Sequence, residues 1–370
     1  MELLIHSFEY FSKPTGLVMN RGKSNIYFNG TDEHHISEVE KLTGMKRGNV
    51  PFKYLGINVS PKRLSVMDCS CLVERIVERI KRLGSRKLSY AGRIVLIKSV
   101  LSSLHTYWAR IFVLPKTVIA SIEATCRSFL WHGNEQKDNP ALVSWDTICQ
   151  PKRQGGLGIR KFHEWNLAAI AKYAWWVATK ADHLWVRWQT WTDSGQSYRI
   201  DKGYQWLLPV GAQVSWFPWM NQRWLLPKHS FCSWLIVQQR LLTQDRLMRM
   251  NIVNHNCCYL CGLHEESHDH LFFECVYSKR CRALISDWCQ VQLPGTNSIL
   301  WWLKWRNRIV GRKQGIAVIL AGLMYWIWYT RNQCRIEGML WRPEFLVQHV
   351  RSEACMRFKV LKSQNVNSAT

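Results

Sequence analysis

Four potential metal ligands within a short stretch constrain this chain more than any other feature. Cys258, Cys261, His270 and Cys275 are spaced C-x2-C-x8-H-x4-C. Two thiolates two residues apart can occupy adjacent corners of a tetrahedron, and a His and a Cys about one helical turn apart can supply the other two. No corner is held open for water, so the pattern predicts a structural zinc site and not a catalytic one.

Neighbouring residues compete for the same four corners. The rivals are His255, Cys257, His264 and His268. Cys257 is the strongest of them, because it precedes Cys258 directly and could shift the ligand register by one residue. The other interpretation is that all of these are ordinary core or surface side chains, which the compact spacing disfavours. The sequence therefore predicts bound zinc and leaves the choice between the two adjacent cysteines open.

The charge balance favours a polyanionic partner. The chain has 50 Lys and Arg against 26 Asp and Glu, a formal net charge of +24, together with 21 Trp, 12 Tyr and 13 Phe. A cationic surface attracts polyanions, and aromatic rings offer flat faces on which bases can stack. The composition therefore indicates RNA or DNA as the partner, and a basic surface that only aids solubility is the alternative.

Cysteine usage and hydropathy indicate an intracellular protein. The 13 cysteines are odd in number and scattered, which predicts free thiols in a reducing compartment, nucleus or cytoplasm, and not a disulfide framework. The N-terminal run MELLIHSFEYFSK lacks the layout of a signal peptide. The longest apolar run, from Gly315 to Tyr329, falls short of the roughly 18 residues that make a spanning helix. We therefore expect no membrane association and a buried helix there.

Hydrophobic periodicity predicts a mainly α fold with a small α+β piece at the N-terminus. Apolar residues recur at helical spacing over residues 1–12, and Pro14 and Gly16 end that helix. The later expectations are short strands at 24–28 and 52–59, helices at 71–83 and 90–109, further helices to 190, a Gly- and Pro-rich linker at 193–228, a basic amphipathic helix at 231–250, an apolar helix at 316–328 and a disordered tail at 363–370.

The predicted helices after residue 70 carry a strong basic surplus. Between Val73 and Lys116, ten Lys and Arg stand against two Glu, which gives +8. Such helices can lie along a phosphate backbone without reading sequence, and a solvated basic face is the alternative. We predict phosphate contacts from Arg86, Lys87, Arg93 and Lys98. The glycines of QGGLG, further on, lack a phosphate-loop pattern and predict a turn.

Several segments together resemble the C-terminal half of a reverse transcriptase from a plant-type LINE (non-long-terminal-repeat) retrotransposon. They cover most of the chain in the family's order. The segments are FSKPTGLVMNRGKSNIYF, FKYLGINVS, LSYAGRIVLIKSVLSSLHTYW, RSFLWHG, PKRQGGLGIRKFHEWNLAAIAKYAW, PKHSFCSWLIVQQRLLTQDRL and CYLCGLHEESHDHLFFEC. As a set, these motifs are specific to that family.

The resemblance implies a role for each part of the chain. Residues 1–60 correspond to the end of the polymerase palm, with a primer-grip-like hairpin at Tyr54, Leu55 and Gly56. The following parts correspond to a helical thumb and connection (61–192), a linker (193–228), the reverse transcriptase zinc-binding domain (229–290), a C-terminal helical region (291–362) and a tail (363–370). The four ligands predicted from spacing fall on the ligand positions of that zinc-binding domain.

One departure from the family pattern bears on activity. A reverse transcriptase uses a pair of adjacent aspartates, with a third carboxylate, to hold two divalent metals. In the family that pair precedes the SKPTGL segment, and no Asp-Asp pair occurs from Met1 to Thr370. We therefore expect zinc binding and non-specific nucleic-acid binding without polymerase activity, with the missing reverse transcriptase half or another protein as a further partner.

A second class of function stays open at this point. The chain could be a zinc-stabilised interaction module that presents a Trp-rich surface to a protein. Salt dependence separates the two classes, because phosphate contacts weaken steeply as salt rises while an aromatic protein interface is less sensitive.

Overall fold

Helices dominate the computed structural model, as the sequence predicts. The structure describes residues 2–28, 30–54, 57–59, 64–83, 88–133, 141–178, 198–220, 224–293 and 313–367. Within these ranges the only strands are four short ones near the N-terminus, which pair in two separate two-stranded sheets. The predicted class, mainly α with a small α+β piece at the N-terminus, is confirmed.

The N-terminal piece contains one helix that the sequence analysis did not predict. Its elements are α1 (Glu2–Thr15), β1 (Asn25–Ile26), α2 (Glu33–Thr43), β2 (Lys46–Arg47), β3 (Phe52–Tyr54) and β4 (Ile57–Val59). The unpredicted helix, α2, begins where the Asp32 carboxylate accepts a hydrogen bond from the His35 amide and ends at Gly44 with φ +65°. β1 pairs with β2 in parallel, and β3 pairs with β4 as an antiparallel hairpin.

A helical layer follows and holds much of the hydrophobic core. It contains α3 (Ser70–Leu83), α4 (Tyr90–Leu96), a π-helical turn (Ile97–Leu101), α5 (Ser102–Ala109), α6 (Lys116–His132), α7 (Trp145–Cys149) and α8 (Phe162–Ala178). Leu72, Ile76 and Ile80 of α3 are fully buried. The buried Asn166 amide of α8 donates to the carbonyls of Ala109 and Phe112 and accepts from the Leu114 amide, which closes the α5–α6 connection.

The described part of the predicted linker is packed against the rest of the protein. It contains α9 (Ile200–Leu207), which lies on α8, and α10 (Phe217–Met220). Trp216, Met220 and Leu225 are buried in the core. The Gly and Pro residues there shape turns between packed elements, so their number does not mark an unstructured connection.

The helix predicted for residues 231–250 is wrong as a single element. It is two helices, α11 (Pro227–Val237) and α12 (Gln244–Arg249), because Gln239 adopts φ +52° and turns the chain. Helix α11 is also not amphipathic: Phe231, Cys232 and Trp234 to Ile236 are all buried. Packing against α4 on one side and the C-terminal helices on the other explains this burial.

Two long helices close the fold. They follow α13 (Val276–Cys289) and are α14 (Lys313–Glu337) and α15 (Pro343–Asn367), which pack against each other. The tail predicted to be disordered from residue 363 is helical as far as Asn367, because α15 continues without a Gly or Pro to stop it. None of the described helices combines the length and apolar character that would let it cross a membrane.

Candidate metal centre

The four predicted ligands meet at one point of the structure. The Sγ atoms of Cys258, Cys261 and Cys275 and a ring nitrogen of His270 all lie within 4.8 Å of one another. Cys258 and Cys275 are fully buried, His270 is nearly so, and Cys261 lies at the edge of the cluster. Among the described residues this is the one group of three or more His, Cys, Asp and Glu with such geometry.

The ligand distances fit a tetrahedral zinc ion. Sulfur at about 2.3 Å and nitrogen at about 2.0 Å from a central ion would be separated by about 3.8 Å for two sulfurs and about 3.5 Å for sulfur and nitrogen. The Cys258 and Cys275 sulfurs are 4.0 Å apart, and Cys261 Sγ is 3.4 Å from His270 Nε2. All four donors belong to the protein, which is the closed arrangement of a structural site.

The pKa values of three ligands are shifted by their surroundings in the cluster. The hydrogen bond between Cys258 and Cys275 raises the pKa of the first thiol and lowers that of the second. Burial, and then the neighbouring His264, lower the pKa of His270. A neutral imidazole and thiolates are the ligand forms that zinc binds, so the shifts of His270 and Cys275 favour those forms and the shift of Cys258 opposes them.

Backbone hydrogen bonds place the cysteines and decide between the two adjacent ones. Cys257 forms a β-bridge with Glu265, and the next amide, of Cys258, donates to the His264 carbonyl. The alternation of a strand then turns Cys258 inward and leaves Cys257 exposed. Gly262, at φ +66°, closes the loop by donating its amide hydrogen to the Cys258 carbonyl.

A π-helical turn brings the other two ligands to the cluster. It spans His270–Glu274, and the Cys275 amide donates to the His270 carbonyl at 2.7 Å. The His270 amide itself donates to Ser267 Oγ at 3.0 Å, which fixes the start of the turn. The rival histidines are not part of the cluster. His255 and His264 are exposed, with the His264 ring centroid 5.6 Å from that of His270, and His268 is buried with its Nδ1 3.4 Å from Thr243 Oγ1.

A buried ion pair that the sequence analysis missed fastens this loop to α14. Both Glu266 and Arg331 are fully buried, and the Arg331 guanidinium donates from Nε and Nη2 to the carboxylate. The same carboxylate accepts from the Gln244 amide at the start of α12. Sequence spacing gives no signal for this pair, because its members are 65 positions apart.

Of the four residues predicted to contact phosphate, the two that the structure describes both donate to backbone carbonyls. Arg93 is buried, and its Nη1 donates to the Leu130 carbonyl at the end of α6. Lys98 is partly buried, with Nζ donating to the Leu157 carbonyl at 2.5 Å. We correct the prediction for Arg93, whose guanidinium supports a helix C-terminus and is not available to a phosphate. Arg86 and Lys87 lie outside the described residues.

The structure describes only part of the predicted primer-grip-like hairpin. Tyr54 ends β3 opposite Ile57 of β4, and Leu55 and Gly56, between them, lie outside the described residues.

In the QGGLG segment, Gly155 has φ +96°, and a Cβ on Gly156 would lie 2.0 Å from the Gln150 carbonyl oxygen. The predicted turn is therefore confirmed, and it requires glycine for a close backbone approach.

Two comparisons with known proteins bear on the metal centre. A family described as zinc-binding in reverse transcriptase matches residues 198–281, which contain all four clustered residues. A protein of Arabidopsis thaliana named "Putative ribonuclease H protein" is 30% identical over 175 residues, which is 47% of this chain and 25% of that protein. The chain thus corresponds to only about a quarter of the length of this relative.

These matches define the class first: the chain carries the zinc-binding domain of reverse transcriptases, with a cluster positioned to bind the metal. The resemblance to a plant-type LINE reverse transcriptase is confirmed over the zinc-binding domain, and the matches are consistent with an origin from a plant retrotransposon. The family match begins at residue 198, ahead of the boundary predicted at 229, and so includes α9 and α10.

Proposed function

We propose that this chain is a relic of a retrotransposon reverse transcriptase that binds zinc through Cys258, Cys261, His270 and Cys275. The zinc would link the two ends of the loop from residue 256 to 275, in addition to its backbone hydrogen bonds. The convergence of all four donors in one closed tetrahedral group carries this proposal. The ion supplies structural stability there, and no residue of the cluster is assigned a catalytic step.

Metal content measured by mass spectrometry tests the ligand assignment. We expect one zinc per chain, and loss of that zinc in Cys258→Ser and Cys275→Ser. Cys257→Ser is the matched control, because it removes the adjacent, exposed thiol from outside the cluster. Full zinc content in Cys258→Ser, or loss of zinc in Cys257→Ser, would contradict the assignment.

We further propose that the zinc-bound chain binds RNA or DNA through phosphate contacts without reading sequence. The net charge of +24 supports this, as do exposed cations on the helical layer. Arg75 and Arg79 of α3 are exposed and form no ion pair among the described residues, and Arg110 and Lys116 are exposed beyond α5. Each phosphate neutralised by such a cation releases counterions, which favours binding.

Fluorescence anisotropy with single-stranded and duplex oligonucleotides of unrelated sequence tests the binding proposal. We expect similar affinity for each sequence and a steep loss of affinity as salt rises. Absence of oligonucleotide binding even at low salt would instead favour the protein-interaction alternative. Among the described residues the exposed tryptophans are Trp175 and Trp206, and the others whose exposure is described are buried or half-buried, which leaves little Trp-rich surface for a protein partner.

Absence of polymerase activity is the third part of the proposal. It rests on the sequence, which offers no adjacent pair of aspartates to hold two divalent ions. A primer-extension assay with an RNA template, Mg²⁺ and nucleotides tests it, and extension above that of a buffer blank would refute it.

A further inference from the structure

A cleft next to the metal centre gathers three arginines. It lies between α12 and the loop that leads to His270, and it has a volume of about 300 Å³. Arg240, Arg246 and Arg249 line it, with Asp245, His268 and Asp269. Three guanidinium groups therefore face two carboxylates in one concave site.

The three cations are not equally neutralised. Arg249 Nη2 donates to Asp245 Oδ2 at 2.8 Å, which satisfies that carboxylate. Arg246 has only a 3.4 Å contact from Nη1 to the Gln239 carbonyl, and Arg240 forms no side-chain ion pair among the residues that the structure describes. Burial lowers the pKa of Arg246, and the like charges of Arg240 and Arg249 lower it further. Asp245 offsets part of this repulsion, but neither Arg240 nor Arg246 forms an ion pair with a carboxylate among the described residues.

The walls of the cleft are rigid and continuous with the metal centre. The Asp245 amide donates to the Glu266 carbonyl at 3.1 Å, and the Gln244 amide donates to the Glu266 carboxylate at 2.9 Å. Ser267, on the opposite wall, accepts from the amide of His270. A cleft held by backbone contacts on both sides offers its cations in a fixed geometry, which reduces the ordering cost of binding.

We propose that this arginine cleft is a phosphate site, which holds one phosphodiester of a bound nucleic acid between Arg240 and Arg246. Guanidinium suits this role, because its planar fork of donors matches two phosphate oxygens. The proposal rests on the nucleic-acid binding proposed above and gives it a specific anchor. The Asp269 carboxylate, which also lines the cleft, repels a bound phosphate and so lowers its affinity.

The first test compares single-charge variants of the zinc-loaded chain. The probe is a fluorescent single-stranded oligonucleotide in anisotropy titrations across a salt series. We expect Arg240→Met and Arg246→Met each to weaken binding about tenfold, the effect of one charge-assisted hydrogen bond. The slope of affinity against salt should fall by about 0.7 for the lost phosphate contact. Asp269→Asn should strengthen binding.

Arg342→Met is the matched control, because it removes the same charge from an exposed site outside the cleft. A methylphosphonate oligonucleotide, which has a neutral backbone, should not distinguish the variants from the native chain. If Arg240→Met and Arg246→Met weaken binding no more than Arg342→Met, the cleft proposal is overturned while nucleic-acid binding stands.

Titration with inorganic pyrophosphate, followed by NMR, separates the two proposals further. Shifts at the cleft that disappear in Arg240→Met would support the cleft even if the chain failed to bind any oligonucleotide, in which case the proposed function alone would fail. Absence of both pyrophosphate shifts and oligonucleotide binding would overturn both.

Discussion

The loop around the metal cluster and the helical layer from Ser70 to Ala178 are held together by different forces. In the helical layer, fully buried side chains such as Ile76, Ile122 and Phe129 pack between helices. In the loop, four ligand atoms converge within 4.8 Å and a buried ion pair fastens the chain to α14. The comparison teaches that one part of this protein converges on a candidate ion site, to which we attribute its order, while the other is held by apolar contact area.

Metal removal should give the largest difference between the two regions. Structural zinc contributes on the order of 10 kcal/mol in isolated zinc-finger peptides. We expect chelation to abolish amide protection in residues 256–275, measured by hydrogen exchange, and to leave the amides of α3 and α6 protected. Simultaneous loss of protection in both regions would show that they unfold as one unit.

Truncation of a core side chain should give the opposite pattern. Phe129 is fully buried in the helical layer, and Phe129→Ala should lower the free energy of unfolding by about 4 kcal/mol through lost burial and a residual cavity. Zinc content, measured on the same sample, should not change. Phe11→Ala is the control, because that side chain is 53% exposed, and it should cost little. Zinc loss in Phe129→Ala would argue against independent regions.

The same contrast explains how much could be predicted from the sequence. Ligand spacing identified the cluster because tetrahedral coordination restricts which residues can meet, and periodicity identified α3 because its buried face repeats every three or four residues. Spacing alone left Cys257 and Cys258 undecided. The β-bridge from Cys257 to Glu265 gives the structural reason why Cys258 faces the cluster.

Counting charged residues predicted the positions of the exposed cations less well than ligand spacing predicted the metal cluster. It cannot tell an exposed cation from one that supports a backbone carbonyl, as Arg93 does at Leu130. Similarly, the sequence predicted a basic helix over residues 231–250 but could not show that its arginines share a cleft with the loop before His270. Both are long-range contacts, and a single sequence contains no periodic signal for them.

Breaking the buried ion pair should show that the loop depends on more than its metal. Arg331→Met leaves the Glu266 carboxylate buried without its partner, which should cost about 3 kcal/mol. Chemical denaturation measures the loss, and we expect weaker zinc binding in the same variant. Arg335→Met, one helical turn further along α14 and only half-buried, is the control.

The double variant Glu266→Gln with Arg331→Met sharpens this test. A neutral amide in place of the carboxylate removes the unpaired buried charge, so part of the lost stability should return. If the stability lost in the double variant equals the sum of the losses in the two single variants, the broken ion pair is not the cause of the loss.

The smallest expected effect is the pH-dependent contribution of Lys98, in the helical layer, to the stability of the fold. Burial, and then the neighbouring Lys152, lower the pKa of Lys98 from 10.5 to about 8. Below pH 8 the folded protein bears the full cost of a partly buried charge. From pH 8 to 10.5 the folded chain releases that proton before the unfolded chain does, so the cost is progressively relieved and the contribution to stability rises.

Lys98→Met removes this pH-dependent cost together with the hydrogen bond to the Leu157 carbonyl. We therefore expect its stability relative to the native chain to fall by about 1 kcal/mol as pH rises through that window, an effect reduced because Lys98 remains partly exposed to solvent. Urea denaturation at several pH values measures it, with the exposed Lys116→Met as control. A difference that stays constant with pH would mean that Lys98 keeps an ordinary pKa in the folded protein, and that burial in the helical layer affects packing alone.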